Sequence, residues 1–343
     1  MWFTSDNASG AAPEIMAALV RANDGYARSY GADAIMARVR NQIRDLFEAP
    51  EAEVHLVPTG TAANALALAL YVQPWSAVFA HSVAHIAVDE CGAPEFYTGG
   101  AKLVSVGGDH AKMTPDTLNA AFVQVGDNGV HGVQRGALSI TNVTEAGTVY
   151  SVAAVAALAA LAKARGLPCH LDGARLANAL VATGASPAEM TWKAGIDVLS
   201  LGGTKNGCLG VEAVVMFDPT KAWEFELRRK RGGHLFSKNR FLAAQMEAYL
   251  TEGLWLRLAA HANAMGARLA KGLGGVAGVE ILHPVEANIL FPQWPEGTHA
   301  KAEAMGAAYY QFPAPAGREG ARLVTSWATT TADVDRFIAV LTA

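Results

Sequence analysis

A lysine at the end of an apolar segment is the residue of this sequence best suited to covalent chemistry. Lys205 follows Leu199-Ser200-Leu201 and stands within Gly202-Gly203-Thr204-Lys205-Asn206-Gly207. Glycines clear volume around a neighbouring side chain and permit unusual φ angles. A lone lysine is usually a solvated surface charge. A lysine at the end of an apolar strand instead enters a cleft, where its amine can form an imine with a carbonyl compound.

A carboxylate and a guanidinium follow a second apolar segment. Asp172 comes after His170-Leu171, and Arg175 follows it beyond Gly173. A buried carboxylate needs a charged or donor partner, because without one its pKa rises and it loses its charge. Arg175 can be that partner, so a purely structural Asp172–Arg175 pair is one interpretation. Lys205 lies 33 positions after Asp172, about one βαβ unit, which would bring both side chains to one edge of a sheet.

Small residues make up a third segment, Pro58-Thr59-Gly60-Thr61-Ala62-Ala63-Asn64, between an apolar run and a helical pattern. Free N–H groups at a helix start, together with Gly60 and the Thr61 hydroxyl, can bind a phosphate. A capped turn without a ligand is the alternative interpretation. The three segments together supply a phosphate site, a carboxylate for a pyridine nitrogen and an amine for an imine. Pyridoxal phosphate requires that set of groups.

Seven short segments rich in apolar and β-branched residues are predicted to be the strands that position these groups: 54–58, 77–81, 102–106, 137–143, 168–172, 197–201 and 213–217. They alternate with alanine-rich helical patterns, which predicts an α/β fold with a seven-stranded, mostly parallel sheet covered on both faces. A long helix over 241–273, short strands near 279–282, 288–291 and 322–326, and a final helix from Thr331 predict a smaller α+β domain. We predict a large domain over 1–245 and a small C-terminal domain over 246–343.

The motifs together resemble the threonine aldolase family among the fold type I pyridoxal-phosphate enzymes. The similarity runs from Thr4-Ser5-Asp6-Asn7 to Arg322-Leu323-Val324-Thr325. The resemblance implies that Lys205 is the Schiff-base lysine and that Asp172 pairs with the pyridinium nitrogen. It further implies roles for four residues: phosphate binding by Gly60 and Thr61, a ring-stacking position for His85, and a position near the cofactor's phenolic oxygen and the substrate for Arg175.

The same resemblance implies a substrate pocket and a shared active site. Arg322 and Ser5 would bind the substrate carboxylate, Tyr30 would lie near the pocket, and His131 would lie near the substrate hydroxyl. Lys230, in the basic run Arg228-Arg229-Lys230-Arg231, would reach a cofactor phosphate in the adjoining subunit. We therefore expect a homo-oligomer, a dimer with shared active sites assembled into a tetramer.

The expected reaction is the reversible cleavage of L-threonine, L-allo-threonine or a related β-hydroxy-α-amino acid such as phenylserine to glycine and an aldehyde. The base that takes the β-hydroxyl proton is left open between His85, His131 and a water that they hold. A β-eliminating lyase, a racemase or an aminotransferase would use the same cofactor groups. A binding protein without cofactor would keep the strands alone.

Composition excludes other classes of protein. With 51% hydrophobic residues, 17% charged residues and a net charge of -4, the chain can bury a core and has no basic surplus for nucleic acid. Three cysteines without a C-x-x-C spacing predict neither a disulfide set nor a zinc site, which favours a reducing cytoplasm. His81 and His85 are four apart but have no evident third metal ligand, so we expect no metal. The longest apolar run, 152–161, is too short to span a membrane.

Overall fold

The structure is a computed structural model, and it describes residues 1–126 and 128–342. A seven-stranded sheet forms its centre, with the strands β1 (Glu53–Val57), β2 (Ser76–His81), β3 (Lys102–Val106), β4 (Gln134–Thr141), β5 (Cys169–Gly173), β6 (Val198–Gly202) and β7 (Glu212–Met216). Their order across the sheet is β1-β7-β6-β5-β4-β2-β3. Only β7 runs against its neighbours β1 and β6, and the remaining pairs are parallel. The predicted mostly parallel sheet is confirmed, and all seven predicted segments overlap its strands.

The helices cover both faces of this sheet, except for the last two, which pack in a smaller C-terminal unit. In chain order they are α1 (Pro13–Ala22), α2 (Ala34–Leu46), α3 (Gly60–Ala69), α4 (His85–Val88), α5 (Ala93–Thr98), α6 (Pro115–Gln124), α7 (Val152–Lys163), α8 (Leu176–Thr183), α9 (Pro187–Met190), α10 (Ala222–Arg231), α11 (Arg240–Leu250), α12 (Leu254–Leu273), α13 (Thr298–Ala304) and α14 (Thr331–Thr342). Alternate strand residues face opposite layers, as the period of two requires. Leu199 and Val215 face the larger core, whereas Val198 and Val214 face the core formed with α3.

A second, smaller sheet lies towards the C-terminus. It contains β8 (Glu280–Ile281), β9 (Ile289–Leu290), β10 (Pro292–Pro295), β11 (Tyr310–Phe312) and β12 (Arg318–Val324). All its pairs are antiparallel: the order is β11-β12-β10-β8, and β9 also pairs with β12. A separate apolar cluster covers it, in which Phe3 joins Leu269, Trp294 and Phe337. The expected smaller α+β unit is therefore present.

The division of the chain at residues 245 and 246 stays a prediction. Helix α12 contributes to both apolar clusters, since Trp255 and Ala259 lie in the large core and Leu269 and Leu273 in the small one. None of the helices in the described part of the chain has the length and apolar character needed to cross a bilayer.

The prediction of one helix over 241–273 is wrong, because a turn over Thr251–Gly253 separates α11 from α12. Glu252 and Gly253 have φ angles of +50° and +67° there. A left-handed conformation ends the repeat of helical hydrogen bonds, and glycine adopts it at low cost. The chain changes direction at this turn, so that α11 packs on α1 and α2.

Candidate active site

The turn from β1 to α3 exposes backbone donors at the carboxyl end of the sheet. Helix α3 begins at Gly60, and the Thr59 hydroxyl accepts a hydrogen bond from the Ala62 amide at 3.2 Å. The first amides of a helix, here those of Gly60 and Thr61, precede the intrahelical hydrogen bonds and point outward. A β-carbon on Gly60 would meet no atom within 4 Å, so the turn is open on that side. It can therefore receive an anion at the positive end of α3.

Four side chains form a hydrogen-bonded chain beside this turn. The Asn64 amide Nδ2 donates to Asp172 Oδ2 at 3.0 Å and to Glu90 Oε1 at 2.9 Å. His85 Nδ1 lies 2.8 Å from the same Glu90 oxygen. The Ala174 amide donates to Asp172 Oδ1 at 3.1 Å. Two donors therefore hold the buried Asp172 carboxylate in a fixed orientation without a partner cation.

Lys205 lies beside this chain of side chains. It belongs to the short turn Thr204–Asn206 that follows β6. A β-carbon on Gly202 would collide with the Ala174 carbonyl, so glycine permits the turns after β5 and β6 to approach closely. Asn206 fixes the turn by donating to Tyr249 Oη and to the Trp255 carbonyl, each at 2.8 Å.

A protonatable carboxyl group lies behind the lysine. Glu212, on β7, accepts a hydrogen bond from the Gly203 amide at 2.9 Å. Burial raises the pKa of Glu212 to about 7, although hydrogen bonds from Thr204 and Gly203 oppose this shift. Near neutral pH this carboxyl group therefore adds less than a full negative charge beneath Lys205.

Arg175 pairs with Asp6 instead of Asp172. Its Nε and one terminal nitrogen lie 2.6 and 2.9 Å from the two Asp6 carboxylate oxygens, and both side chains are buried. Asn288 Nδ2 donates to Asp6 at 3.2 Å. Burial raises the pKa of Asp6, but the Arg175 guanidinium outweighs it and holds that pKa below its usual value. The interpretation of Asp172 and Arg175 as a structural pair is therefore wrong.

Two joined cavities lie at this edge of the sheet. The inner cavity has a volume of about 240 Å³ and contacts Gly60, Thr61, Asp172 and Lys205. The outer cavity, of about 650 Å³, is bounded by Ser5, Asn7, Tyr310 and Arg322. Five residues contact both cavities: Asn7, His85, Glu145, Arg175 and Lys205. A ligand in the inner cavity can therefore react with one in the outer cavity.

The two histidines near α4 differ in their surroundings. The Glu90 carboxylate raises the pKa of His85, and burial only partly opposes this shift. His81 is bonded to backbone on both ring nitrogens, with Nε2 at 3.0 Å from the Gly108 carbonyl and Nδ1 accepting from the Val83 amide at 3.3 Å. His81 is thus a structural residue. The described residues contain no group of three histidine, cysteine or acidic side chains arranged as metal ligands.

Three residues predicted for the site do not contact either cavity of their own chain. His131 is exposed on the turn Gly129–His131, before β4 begins, and therefore lies at the opposite end of the strand from Asp172. Within its own chain His131 does not reach the cavities, and its position beside the substrate hydroxyl stays a prediction. Tyr30 and Lys230 instead lie together, with the Lys230 Nζ 5.0 Å from the centre of the Tyr30 ring.

Comparisons with known proteins agree with this geometry. Residues 3–294 match the family model described as β-eliminating lyase. Two curated relatives, low specificity L-threonine aldolases from Pseudomonas sp. and Pseudomonas aeruginosa, are each 42% identical over 97% of this chain and 94% of their own. A solved Leishmania major threonine aldolase is 31% identical, with a TM-score of 0.94 over 99% of this chain and 98% of that one. This chain belongs to the threonine aldolase family.

The inner cavity fits pyridoxal phosphate, the cofactor of this family of fold type I enzymes. The helix start at Gly60 suits a phosphate, and the oriented Asp172 carboxylate suits a protonated pyridine nitrogen. Lys205 Nζ makes no hydrogen bond or ion pair with the rest of the described chain, so its amine is available to a carbonyl group.

Sequence reasoning missed the partners that hold the site of this threonine aldolase family member in place. Asp6, Asn64 and Glu90 each bond to a predicted site residue, yet none was assigned a role. Asn64 carried a signal, because it is a buried polar residue among the alanines and leucines of α3. Glu90 follows His85 by five residues, but nothing in the sequence singles it out.

Proposed function

We propose that this protein is a pyridoxal-phosphate-dependent aldehyde-lyase that cleaves L-threonine, L-allo-threonine or a related β-hydroxy-α-amino acid, phenylserine included, to glycine and an aldehyde. The reaction is reversible. The observation that carries this proposal is the meeting of Lys205, Asp172 and Arg322 around two joined cavities. The names of the threonine aldolase relatives support the choice of substrate.

Each cavity residue has a separate task in the proposed reaction. When bound, pyridoxal phosphate supplies a sink for the electron pair released from the substrate Cα–Cβ bond. Gly60 and Thr61 hold its phosphate, Asp172 holds a proton on its pyridine nitrogen, and His85 covers its ring. Arg175, fixed by Asp6, lies beside its phenolic oxygen.

The outer cavity binds the substrate. Arg322 binds the carboxylate of the amino acid with the help of Ser5, and this contact orients the Cα–Cβ bond for cleavage. The Arg322 guanidinium makes no hydrogen bond or ion pair within the described chain, which supports an external carboxylate as its partner. Burial, with the nearby Arg175, lowers the pKa of Arg322. A bound carboxylate would offset that cost.

The active unit is a dimer with shared sites, assembled into a tetramer. Lys230 and Tyr30 belong to the site of the adjoining copy, where Lys230 contacts the phosphate. Two observations support this: both residues lie outside the cavities of their own chain, and a groove along α10 has large exposed apolar side chains. Phe96 and Leu227, in that groove, are 79% and 53% exposed. The odd number of cysteines supports a cytoplasmic location.

Product analysis tests the proposed function. The purified holoenzyme incubated with L-threonine is expected to release glycine and acetaldehyde in equal amounts. Release of pyruvate, a keto acid or the D-isomer would contradict the proposal and indicate a β-eliminating lyase, an aminotransferase or a racemase.

The Lys205→Ala variant tests the cofactor attachment. It is expected to lose turnover together with the adduct that borohydride traps, because no other lysine of the described residues contacts either cavity. Lys193→Ala removes a surface lysine paired with Glu48 and is the matched control. A trapped adduct and normal turnover in Lys205→Ala would show that another lysine carries the cofactor.

A further inference from the structure

Glu145 lies at the tip of a rigid turn after β4. Thr144 and Thr148 close this turn, with the Thr144 amide donating to the Thr148 carbonyl at 2.9 Å. Their hydroxyl oxygens are 2.7 Å apart, and Thr148 Oγ1 also donates to the His110 carbonyl at 2.7 Å. Both threonines are buried. Backbone and threonine side chains thus form the hydrogen bonds of the turn, and Glu145 is not needed for it.

Two further contacts keep the turn in place. Asn142 exchanges hydrogen bonds with the Tyr150 backbone, donating to its carbonyl and accepting from its amide, each at 3.1 Å. Gly147, with φ of +80°, presses against Ile289 of β9, and a β-carbon there would lie 2.5 Å from the Ile289 carbonyl oxygen. The small sheet therefore packs against the turn and restricts where the Glu145 backbone can lie.

The Glu145 carboxylate faces both cavities without a partner. It contacts the inner and the outer cavity, as do His85, Arg175 and Lys205. Within the described chain its oxygens form no hydrogen bond or ion pair. A carboxylate held on a rigid turn with free lone pairs is ready to accept a proton from a ligand that spans the two cavities.

The other candidates for the base are less suitable. Within its own chain His131 lies at the far end of β4 from both cavities, so it can act only in the site of an adjoining copy. His85 is hydrogen-bonded through Nδ1 to Glu90, and its Nε2 lies 3.5 Å from Asp89 Oδ2, so both ring nitrogens already face carboxylate oxygens.

We propose that Glu145 is the catalytic base that takes the proton from the β-hydroxyl of the substrate. This inference rests on the proposed aldol cleavage. As the Cα–Cβ bond breaks, the hydroxyl proton passes to a Glu145 oxygen, and the O–H electron pair becomes the second bond of the aldehyde carbonyl. The Cα–Cβ pair remains with Cα, which later takes up one proton to give glycine. Protons and electrons therefore balance over the reaction.

Glycine provides the test, because it binds in the same site but has no β-hydroxyl. In Glu145→Gln, L-threonine cleavage is expected to fall by about 10²-fold or more, the usual contribution of a general base. Glycine affinity and the exchange of its α-hydrogen in D₂O are expected to stay within about threefold of wild type, since neither step uses that base. Cofactor absorbance should be unchanged. Glu145→Asp keeps a carboxylate and is expected to retain more cleavage than Glu145→Gln.

Glu286→Gln is the matched control. The Glu286 carboxylate accepts a hydrogen bond from the Val149 amide at 2.6 Å and holds the same segment from outside the cavities. Glu286→Gln perturbs this segment but removes no group from the site. The rates of threonine cleavage and of glycine α-hydrogen exchange are therefore expected to change by the same factor. His85→Asn is the second comparison: it should weaken cofactor and glycine binding along with cleavage.

Three outcomes would overturn the inference. Glu145→Gln could cleave threonine at the wild-type rate, it could lose the glycine and threonine reactions equally, or the selective loss of cleavage could occur in His85→Asn instead. If the wild-type enzyme releases no aldehyde, the proposed function itself fails. Failure of the inference and failure of the function are therefore distinguishable.

Discussion

Arg175 and Arg322 face the same outer cavity but have different surroundings. Arg175 is paired with the two oxygens of Asp6, whereas Arg322 has no carboxylate partner in the described chain. Leaving a partly buried guanidinium unpaired is costly in a folded protein. The paired Arg175 therefore helps to build the site, whereas the unpaired Arg322 is free to bind an anionic substrate.

Arg322→Lys is expected to weaken substrate binding while cofactor absorbance stays normal. A guanidinium binds a carboxylate through two parallel hydrogen bonds, and a lysine ammonium acts as a single point charge. Loss of one charge-assisted bond, worth about 1.5 to 3 kcal/mol, corresponds to a 10- to 100-fold rise in the KM for threonine. Arg318→Lys, on the same strand, is the control. Equal kinetics in wild type and Arg322→Lys would remove Arg322 from the substrate site.

The expectation that residues at the carboxyl ends of parallel strands lie together predicted which segments form the site. It could not predict which side chains hydrogen-bond to the site residues. Lys205, Asp172 and Gly60 were found because polar or small residues interrupt apolar segments. The pairing of Arg175 with Asp6 joins residues 169 positions apart, and no local pattern encodes it. His131 comes before the start of β4, whereas the site lies at the end of that strand, and the motif match does not distinguish the two ends. A sequence match shows that a histidine is present but not where its side chain points.

Three adjacent strands share a buried polar ladder. His170 on β5 lies 2.9 Å from Ser139 Oγ on β4 through Nδ1, and 3.0 Å from Ser200 Oγ on β6 through Nε2. Burial lowers the pKa of His170 to about 4, although Asp172 opposes the shift. The neutral imidazole of His170 therefore links β4, β5 and β6 at the centre of the sheet, close to the site.

This ladder predicts a pH-dependent stability. Between pH 4 and 6.5 the unfolded chain binds a proton on His170 and the folded chain does not. The contribution of His170 to the free energy of unfolding is therefore complete above pH 6.5 and is lost as the pH falls towards 4. The loss amounts to about 3 kcal/mol. Urea unfolding should therefore show that the stability difference between wild type and His170→Gln shrinks by roughly this amount across the window.

The quantity to measure is the difference in unfolding free energy between wild type and His170→Gln, because Glu212 changes the stability of both proteins with pH in the opposite direction. Its pKa is raised to about 7, so its contribution is present at acid pH and is lost as the pH rises. His131→Gln changes an exposed histidine and is the control. Parallel stability profiles for wild type and His170→Gln would contradict the neutral buried imidazole.

The element pattern was predictable for the large sheet and less so beyond it. Parallel strands buried on both faces form nearly continuous apolar segments, which a sequence displays clearly. The turn over Thr251–Gly253 was missed because apolar residues continue on both sides of it, first facing the α1–α2 layer and then the small sheet. The spacing of apolar residues indicates that one face of a helix is buried, but it does not indicate which of the two apolar cores that face contacts.

Several large exposed apolar side chains lie on or beside α10. Trp223, Phe96 and Leu227 are 74%, 79% and 53% exposed, and Lys230 is one turn away from Leu227. Contiguous exposed apolar surface marks a protein interface more often than it occurs on a monomer. At the scale of the whole molecule, this surface and the Lys230–Tyr30 pair favour the proposed dimer with shared sites.

Lys230→Ala is expected to weaken cofactor affinity about 10- to 100-fold without unfolding the chain, because it removes one charge-assisted phosphate contact worth about 1.5 to 3 kcal/mol. A ligand that binds only the assembled state stabilises that state by mass action. Sedimentation of diluted wild-type apoprotein should therefore shift to a larger species when pyridoxal phosphate is added, and the shift should be smaller in Lys230→Ala.

Lys301→Ala, on α13 of the small unit, is the control for charge. A monomer that binds cofactor tightly and cleaves threonine at full rate at nanomolar concentration would contradict the shared site. Lys230 would then be an ordinary solvated lysine.

The N-terminal segment has a consequence for how the enzyme is made. Phe3 exchanges backbone hydrogen bonds with Ala308 and Val324, and three residues later Asp6 holds Arg175. The ribosome releases the first residues long before the last, and domains generally fold as they emerge. Phe3 packs with Leu269, Trp294 and Phe337 and pairs with Ala308 and Val324, so its place is complete only when the small unit has left the ribosome. The segment that carries Asp6 is therefore fixed beside Arg175 late in synthesis.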